Sequence, residues 1–220
     1  MQQQARSITT NQVGIHKNLQ KVVSRHLVHP SQKPLSEHTQ LAFQEAINWL
    51  GDWQGDLILD SCCGVGESTV NIAKLHPNAR VIGIDKSALR TDKHQAYATT
   101  LQNYLVLRAD LNDFLRLLLL SDKKLTKHYL LYPNPYPKSA HLQRRWYATS
   151  VLKDILKLGG VLEVRSNWPL YIQEFSAALA VANIPSQIGI FESDQAITPF
   201  ERKYWQSGQS SWQLLANLSP

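Results

Sequence analysis

The sequence predicts an α/β fold with a doubly wound, mostly parallel sheet. Two observations lead to this prediction. From residue 41 onward, short apolar runs of strand length alternate with stretches that have helical apolar spacing. This alternation is typical of a parallel sheet covered by helices on both faces. The first apolar run is also followed by the turn CCGVGES and a helical stretch, the arrangement with which such sheets bind ligands at their carboxyl edge.

Seven strands are predicted, each a short apolar run between turn residues or helical stretches. They cover residues 56–61, 80–85, 104–110, 127–133, 161–166, 186–193 and 211–218. The helix before the first strand covers 41–50 and stops at Gly51, a residue type that commonly ends helices. Apolar spacing predicts further helices over 67–75, from 86 to about 101, and over 111–120, 141–160 and 170–182.

The positive charge is concentrated near the N-terminus. The net charge is +6, and residues 1–36 contain five basic residues and no acid. These are Arg6, Lys17, Lys21, Arg25 and Lys33. We therefore predict a flexible basic arm over 1–36 and a domain over 37–220. Such an arm either neutralises the phosphates of a polyanion or is a solvated segment without a partner.

Several classes of protein do not fit this composition. The longest apolar run is too short to span a bilayer, and the first residues lack the apolar core of a secretory signal. Cys62 and Cys63 are neighbours in sequence, so they are poorly placed to form a structural disulfide with each other. Two cysteines are also too few for a structural zinc site. We expect a reduced, cytoplasmic protein without a metal or a membrane partner.

Acidic residues end three successive predicted strands. Asp60 precedes the turn that contains Gly64 and Gly66, Asp85 ends the second strand, and Asp110 ends the third. A carboxylate at the second position suits the two hydroxyls of a ribose, and one at the third suits an adenine amino group. Each acid alone is equally well explained as a turn or helix cap. Together they indicate a cofactor that contains a nucleoside.

This pattern resembles the class I S-adenosylmethionine-dependent methyltransferases. The resemblance implies their seven-stranded, Rossmann-like methyltransferase sheet and S-adenosyl-L-methionine as cofactor. It also implies a cofactor-binding role for Asp60, Cys62, Gly64, Gly66, Asp85, Lys86, Asp110, Leu111 and Asn134. Cys62 replaces the first glycine of the family's turn, so the backbone there must adopt a φ that a Cβ tolerates.

Four further motifs resemble the tRNA (guanine-N7)-methyltransferases. The segment 133–138, PNPYPK, follows the fourth strand and is rigid because prolines fix φ. It is followed by Arg144-Arg145, by Ser166-Asn167-Trp168 and by the segment 198–202, TPFER. The resemblance implies methyl transfer to N7 of guanosine 46 in tRNA. It also implies a catalytic role for Asn134 and substrate contacts by Tyr136, Lys138, Arg144, Arg145, Asn167, Thr198, Glu201 and Arg202.

Three departures from that family bear on the chemistry. Asn134 and Asn167 stand where the family has aspartate, and Tyr136 stands where it has tryptophan. Guanine N7 has a lone pair and no proton, so in-line attack needs alignment rather than a general base. We therefore expect reduced but real activity. One alternative is an amino-group methyltransferase acting on an adenine-N6-like acceptor, because Asn134-Pro135-Tyr136 resembles the Asn-Pro-Pro-Tyr loop of amino-methylating enzymes, although the tyrosine here directly follows the first proline. The other is an RNA-associated cofactor-binding protein with little catalysis. Monomer and homodimer both remain open.

Overall fold

The computed structural model of the chain describes residues 5–29 and 31–218. Its sheet contains β1 Leu57–Ser61, β2 Arg80–Asp85, β3 Tyr104–Arg108, β4 Lys127–Leu131, β5 Val161–Ser166, β6 Gln187–Phe191 and β7 Ser211–Asn217. The strand order is β3-β2-β1-β4-β5-β7-β6. Strands β1 to β5 are parallel, whereas β7 is antiparallel to β5 and β6. The predicted doubly wound, mostly parallel seven-stranded sheet is confirmed.

Helices cover both faces of this sheet. They are α1 Leu19–Val28, α2 Glu37–Leu50, α3 Glu67–Leu75, α4 Ala88–Thr91, α5 Leu111–Leu120, α6 Val151–Leu158, α7 Pro169–Val181 and α8 Pro199–Gln206. Alternate strand residues enter different apolar clusters: Leu59 belongs to the larger one and its neighbour Ile58 to the smaller. This follows from the two-residue period of a strand. Within the described ranges, no helix has the length and apolar character needed to cross a membrane.

The sheet topology determines where a ligand can enter. From β1 the chain builds outward through β2 to β3, and then returns to place β4 on the other side of β1. Strand order therefore reverses between β1 and β4. In open α/β sheets the crevice beyond the carboxyl ends of two such strands is the usual ligand site.

Two predicted helices differ from the structure. The segment after β2 forms only α4 and a short 3-10 helix, Asp92–Ala96. The helix predicted over 141–160 is reduced to α6, preceded by the 3-10 helices Ser139–Arg144 and Trp146–Ala148. Arg145 separates these two turns with an extended backbone, φ −82° and ψ 138°, so a continuous α-helix cannot form there.

The N-terminal segment also differs from the predicted free arm. Its described residues include α1, in which Leu19, Val22 and Val23 are buried in the main core. Their i, i+3, i+4 spacing is typical of an amphipathic helix, which the prediction from the segment's charge alone did not include. Residues 1–4 and 30 of the predicted arm lie outside the described residues. The charged side chains of Lys17, Lys21 and other arm residues remain on the surface.

Candidate active site

A cavity of about 700 Å³ lies at the carboxyl ends of β1, β2 and β4. This volume is in the range of sites for small ligands and cofactors, about 300–1,000 Å³. Its lining includes Cys62, Asp85, Lys86, Asp110, Leu111, Tyr132, Asn134, Tyr136, Arg144, Asn167 and Phe200. The structure thus brings together most of the predicted cofactor residues and several of the predicted substrate residues.

The turn after β1 is connected to the end of β2 by Asp85. Its Oδ2 accepts a hydrogen bond from the Gly64 amide at 3.0 Å, and its Oδ1 accepts one from the Ser87 amide at 2.9 Å. Each oxygen keeps a second lone pair for a ligand. Asp85 therefore both orders the wall of the cavity and presents a buried carboxylate to it.

Glycine is required in this turn by close packing. Gly66 has φ +77°, and a Cβ there would lie 2.5 Å from Nδ1 of His94. Cys62 replaces the family's first glycine and also has a positive φ, +62°. The expectation of a φ that readily accepts a Cβ is therefore wrong, because Cys62 occupies the strained left-handed region. Burial raises the pKa of the Cys62 thiol to about 12, so it stays protonated near neutral pH.

Asp60 lies behind the cavity and does not line it. Its carboxylate is fully buried, and Oδ2 accepts hydrogen bonds from the hydroxyls of Ser68 and Thr69 on α3. Burial raises the pKa of Asp60 to about 6, although both hydroxyl bonds act in the opposite direction. Its predicted cofactor role can only be indirect, by holding the start of α3 against the turn.

Asp110 combines the two roles considered for it. Its Oδ1 caps α5 by accepting a hydrogen bond from the Asn112 amide at 3.0 Å. The same residue lines the cavity together with Leu111. Asp110 is thus a helix cap, as the simpler explanation held, and it also lies beside the cavity, as expected of a strand-end carboxylate near a ligand.

The proline loop, residues 133–138, forms the wall of the cavity that follows β4. Asn134 is exposed, and its Oδ1 accepts a hydrogen bond from the Tyr136 amide at 3.2 Å, which is an Asx turn. Tyr136 has φ +44° and Tyr132, just before the loop, has φ +50°. Both are non-glycine residues in a costly conformation, a feature that concentrates at functional sites.

This constellation of a cavity, a glycine turn and a rigid loop agrees with comparison to known proteins. The family Methyltransf_4, described as "Putative methyltransferase", matches residues 54–214. The chain belongs to this methyltransferase family.

Relatives and solved structures extend the comparison. A tRNA (guanine-N(7)-)-methyltransferase of Marinobacter nauticus is 28% identical over 163 residues, 69% of this chain and 68% of the relative. One of Psychromonas ingrahamii is 27% identical over 177 residues, 74% and 70% of the two chains. The 16S rRNA methyltransferase KamB has a TM-score of 0.59 at 16% identity and covers 86% of this chain and 96% of that one. An antibiotic-related methyltransferase has a TM-score of 0.58 at 14% identity, over 85% and 96%. These structures show the shared fold.

Arg145 is not a substrate-facing residue of this methyltransferase, contrary to the prediction. Its side chain is fully buried and pairs with the equally buried Glu174 of α7. It also donates hydrogen bonds to the carbonyl oxygens of Tyr136 and Lys138, at 3.1 and 3.3 Å. The arginine therefore holds the backbone of the proline loop and cannot reach an external phosphate.

Glu201 and Thr198 also correct the prediction of substrate contact. Glu201 is fully buried and accepts hydrogen bonds from Arg165 at 2.7 Å and from the Tyr132 hydroxyl at 3.2 Å. Thr198 is buried and caps α8 by accepting a hydrogen bond from the Glu201 amide at 2.9 Å. Arg202 pairs with Glu67 at the start of α3 and does not line the cavity. Thr198, Glu201 and Arg202 thus anchor α8 and do not line the cavity.

The remaining predicted substrate residues lie on the rim. Lys138 and Arg144 are exposed, and the Arg144 guanidinium lies 5.9 Å from the centre of the Tyr136 ring. Arg25 of α1 donates a hydrogen bond to the Gln143 side chain at 2.8 Å, which brings the basic N-terminal segment beside them. Asn167 lines the cavity and donates to Gln209 at 2.9 Å.

Aromatic residues that sequence reasoning did not assign complete the cavity wall. Phe200 is 44% exposed and lines the cavity, and its ring stacks on that of Tyr204 with an interplanar angle of 24° and ring centres 6.2 Å apart. Tyr204 in turn contacts Tyr132. The sequence feature that could have identified Phe200 is its position inside the TPFER motif. No cluster of histidine, cysteine or acidic residues suited to a metal ion occurs in residues 5–29 and 31–218.

Proposed function

We propose that this methyltransferase transfers the methyl group of S-adenosyl-L-methionine to N7 of guanosine in tRNA, at position 46. The observation that carries the proposal is the placement of Asn134 in a cavity that also contains Asp85 and Asp110, with Lys138 and Arg144 on the adjoining loop and rim. The relatives from Marinobacter nauticus and Psychromonas ingrahamii are named tRNA (guanine-N(7)-)-methyltransferases. A tRNA substrate also favours a cytoplasmic location.

The residues present fit S-adenosyl-L-methionine. Asp85 offers a carboxylate with a spare lone pair on each oxygen, which suits the two ribose hydroxyls, and Asp110 offers its carboxylate at the next strand end. Lys86 and Leu111 extend the same wall. When bound, the cofactor supplies a methyl group on a positively charged sulfur, which leaves as the neutral thioether once the methyl has been transferred.

The protein's task in this reaction is alignment. The lone pair of guanine N7 forms the new bond to carbon as the sulfur–carbon bond breaks, and no proton needs to be removed. Tyr136 and Phe200, on the loop and on α8, offer aromatic faces on which a flipped purine would stack. Asn134 directs its amide oxygen to the loop and stabilises the positive charge that develops on the purine less strongly than a carboxylate would.

Basic residues around the cavity would hold the RNA backbone. Lys138 and Arg144 are exposed, and Lys17 and Lys21 lie on the neighbouring N-terminal segment. Phosphate contacts of this kind supply affinity without sequence specificity. The choice of guanosine would then depend on the shape of the cavity.

The test is to incubate the protein with labelled S-adenosyl-L-methionine and unmodified bulk tRNA, digest the RNA and identify the product by mass. We expect 7-methylguanosine. Methyladenosine would instead establish the amino-group reaction, which the asparagine of the proline loop favours. Cofactor binding without any methylated nucleoside would support an RNA-associated protein with little catalysis, in keeping with the replacement of acids by Asn134 and Asn167.

A further inference from the structure

A short N-terminal segment crosses the outside of the proline loop. The Thr10 hydroxyl donates a hydrogen bond to the Pro137 carbonyl at 2.6 Å, and the Asn11 Oδ1 accepts one from the Ser139 amide at 3.0 Å. These partners are separated by 127 and 128 residues in sequence. We call residues 10–12 the strap.

The third residue of the strap enters the buried cluster beneath the loop. Gln12 is 8% exposed, its Nε2 donates to Glu174 at 2.7 Å, and its Oε1 accepts from Arg145 at 3.0 Å. Arg145 carries this connection to the loop, since it donates to the carbonyl oxygens of Tyr136 and Lys138. The strap therefore contacts the loop directly from outside and through Arg145 from beneath.

The composition of the loop explains why outside support matters. Pro133, Pro135 and Pro137 have no N–H, so the loop has few donors with which to order itself. Prolines fix their own φ but not that of Asn134 or of Tyr136, whose φ is +44°. A strained residue persists only where its surroundings hold it. Three consecutive loop carbonyls, those of residues 136 to 138, are held by Arg145 or by Thr10.

We infer that Thr10, Asn11 and Gln12 are positioning residues that hold the proline loop, and with it Asn134, in the geometry for methyl transfer. The catalytic part of this inference rests on the proposed function. It gives the N-terminal segment a role in the chemical step that is separate from any binding of RNA by its charged residues.

The test uses a double variant, Thr10→Val with Asn11→Ala, in the full-length protein. Both residues are exposed, so the substitutions leave the core closed. They remove the bond to the Pro137 carbonyl and the bond to Ser139, which directly follows the loop. Within the strap they also remove the bond that the Gln12 amide donates to the Thr10 hydroxyl at 3.0 Å. Thr9→Val is the matched control, because Thr9 is also exposed and makes no hydrogen bond to the loop. Thr10→Ser with native Asn11 keeps the hydroxyl and should behave like the wild type.

The first readout needs no substrate. Trypsin cleaves after the exposed Lys138, and the double variant should be cut there at least about threefold faster, with faster hydrogen exchange at the Ser139 amide, because local opening becomes easier. Unchanged cleavage and exchange would overturn the inference, whatever the substrate proves to be.

The second readout is kinetic. In the double variant, kcat for tRNA methylation should fall at least about fivefold, while the Kd for tRNA changes by less than about twofold. A loss confined to tRNA affinity, with kcat unchanged, would mean that the strap binds RNA and does not position the loop. If no variant and not even the wild type methylates tRNA, the proposed function fails, and protection of the loop still decides whether the strap holds it.

Discussion

Three of the residues that line the cavity have a backbone conformation unusual for residues with a side chain. Cys62, Tyr132 and Tyr136 have positive φ, and each follows or lies near the end of a parallel strand. Such a conformation costs on the order of 1–3 kcal/mol per residue, which the surrounding contacts must offset. Tyr132 shows how, since its amide donates to the Arg165 carbonyl at 2.8 Å and its hydroxyl is held by Glu201 and Ser211.

The first prediction concerns the carboxylate at the end of β2. Asp85→Ala should weaken binding of S-adenosyl-L-methionine more than about tenfold, because hydrogen bonds to a charged group contribute about 1.5–3 kcal/mol each. Asp85→Asn keeps the shape but places an amide NH2 group against either the Gly64 or the Ser87 amide donor, so it should also weaken binding. Calorimetric titration measures both, with Asp92→Ala as a control on an exposed residue outside the cavity. An undiminished affinity in a folded Asp85→Ala protein would remove Asp85 from the cofactor site.

The second prediction concerns the loop asparagine. Asn134→Asp should raise the rate of guanine N7 methylation, because a carboxylate stabilises the positive charge that develops on the purine. The Asx turn survives, since the oxygen that accepts the Tyr136 amide is retained. A gain of about 1–3 kcal/mol corresponds to roughly five- to a hundredfold in rate.

Single-turnover kinetics with mass identification of the product checks this effect. Asn183→Asp is the control, because it adds the same charge to the turn between α7 and β6. This turn precedes β6 and lies at the amino ends of the parallel strands, opposite the cavity. A slower reaction in Asn134→Asp, with methyladenosine as product, would show that the acceptor is an amine.

At the scale of elements, the sequence predicted the positions of the strands well and the roles of the nearby charged residues less well. Strand positions follow from local apolar runs, and β2 and β5 have the predicted bounds. Arg145 and Glu201 were assigned to the substrate from the family resemblance, and charged residues are rarely buried unless they are paired. Their partners, Glu174 and Arg165, are 29 and 36 residues away, so only the tertiary structure reveals the pairs.

The buried Glu201 also fixes the start of helix α8. Thr198 caps it, and the Glu201 carboxylate accepts the Ile197 amide at 2.8 Å, so the first turn is fixed from two sides. Because Phe200 and Tyr204 project from this helix into the cavity lining, the cap also determines where these rings lie.

The third prediction follows from this cap. Thr198→Ala should lower the free energy of unfolding by about 1 kcal/mol, the usual effect of losing an N-cap side chain. Urea denaturation measures it. Thr100→Ala, at an exposed loop position that caps no helix, should change the free energy of unfolding by less than about 0.5 kcal/mol. Equal stabilities of the two variants would show that the cap of α8 contributes nothing measurable.

At the scale of the whole molecule, the N-terminal segment is both part of the core and the main source of positive charge. Its apolar residues pack against α7, and its strap contacts the proline loop. Removing the segment would therefore disturb the fold as well as the charge. The sequence alone could not separate these two contributions, because the partners of Gln12 and Val23 lie in distant parts of the chain.

The fourth prediction isolates the charge. The triple variant Lys17→Gln, Lys21→Gln, Lys33→Gln removes three exposed ammonium groups that form no ion pair within the described ranges. If each contacts an RNA phosphate, the slope of log K against log salt for tRNA binding should become shallower by up to about 3, because one duplex phosphate contact contributes about 0.9. Affinity for S-adenosyl-L-methionine should stay the same, since these lysines do not line the cavity.

The control triple removes the same charge elsewhere. Lys74, Lys124 and Lys157 are exposed and precede β2, β4 and β5 in the chain, at the amino edge of the sheet and opposite the cavity. Replacing them with glutamine lowers the net charge equally, so a long-range effect of net charge would alter both slopes alike. A shallower slope in the N-terminal variant alone would locate the RNA backbone on the same side as Lys138 and Arg144. Equal slopes would mean that the basic segment stabilises the fold and leaves the RNA to other residues.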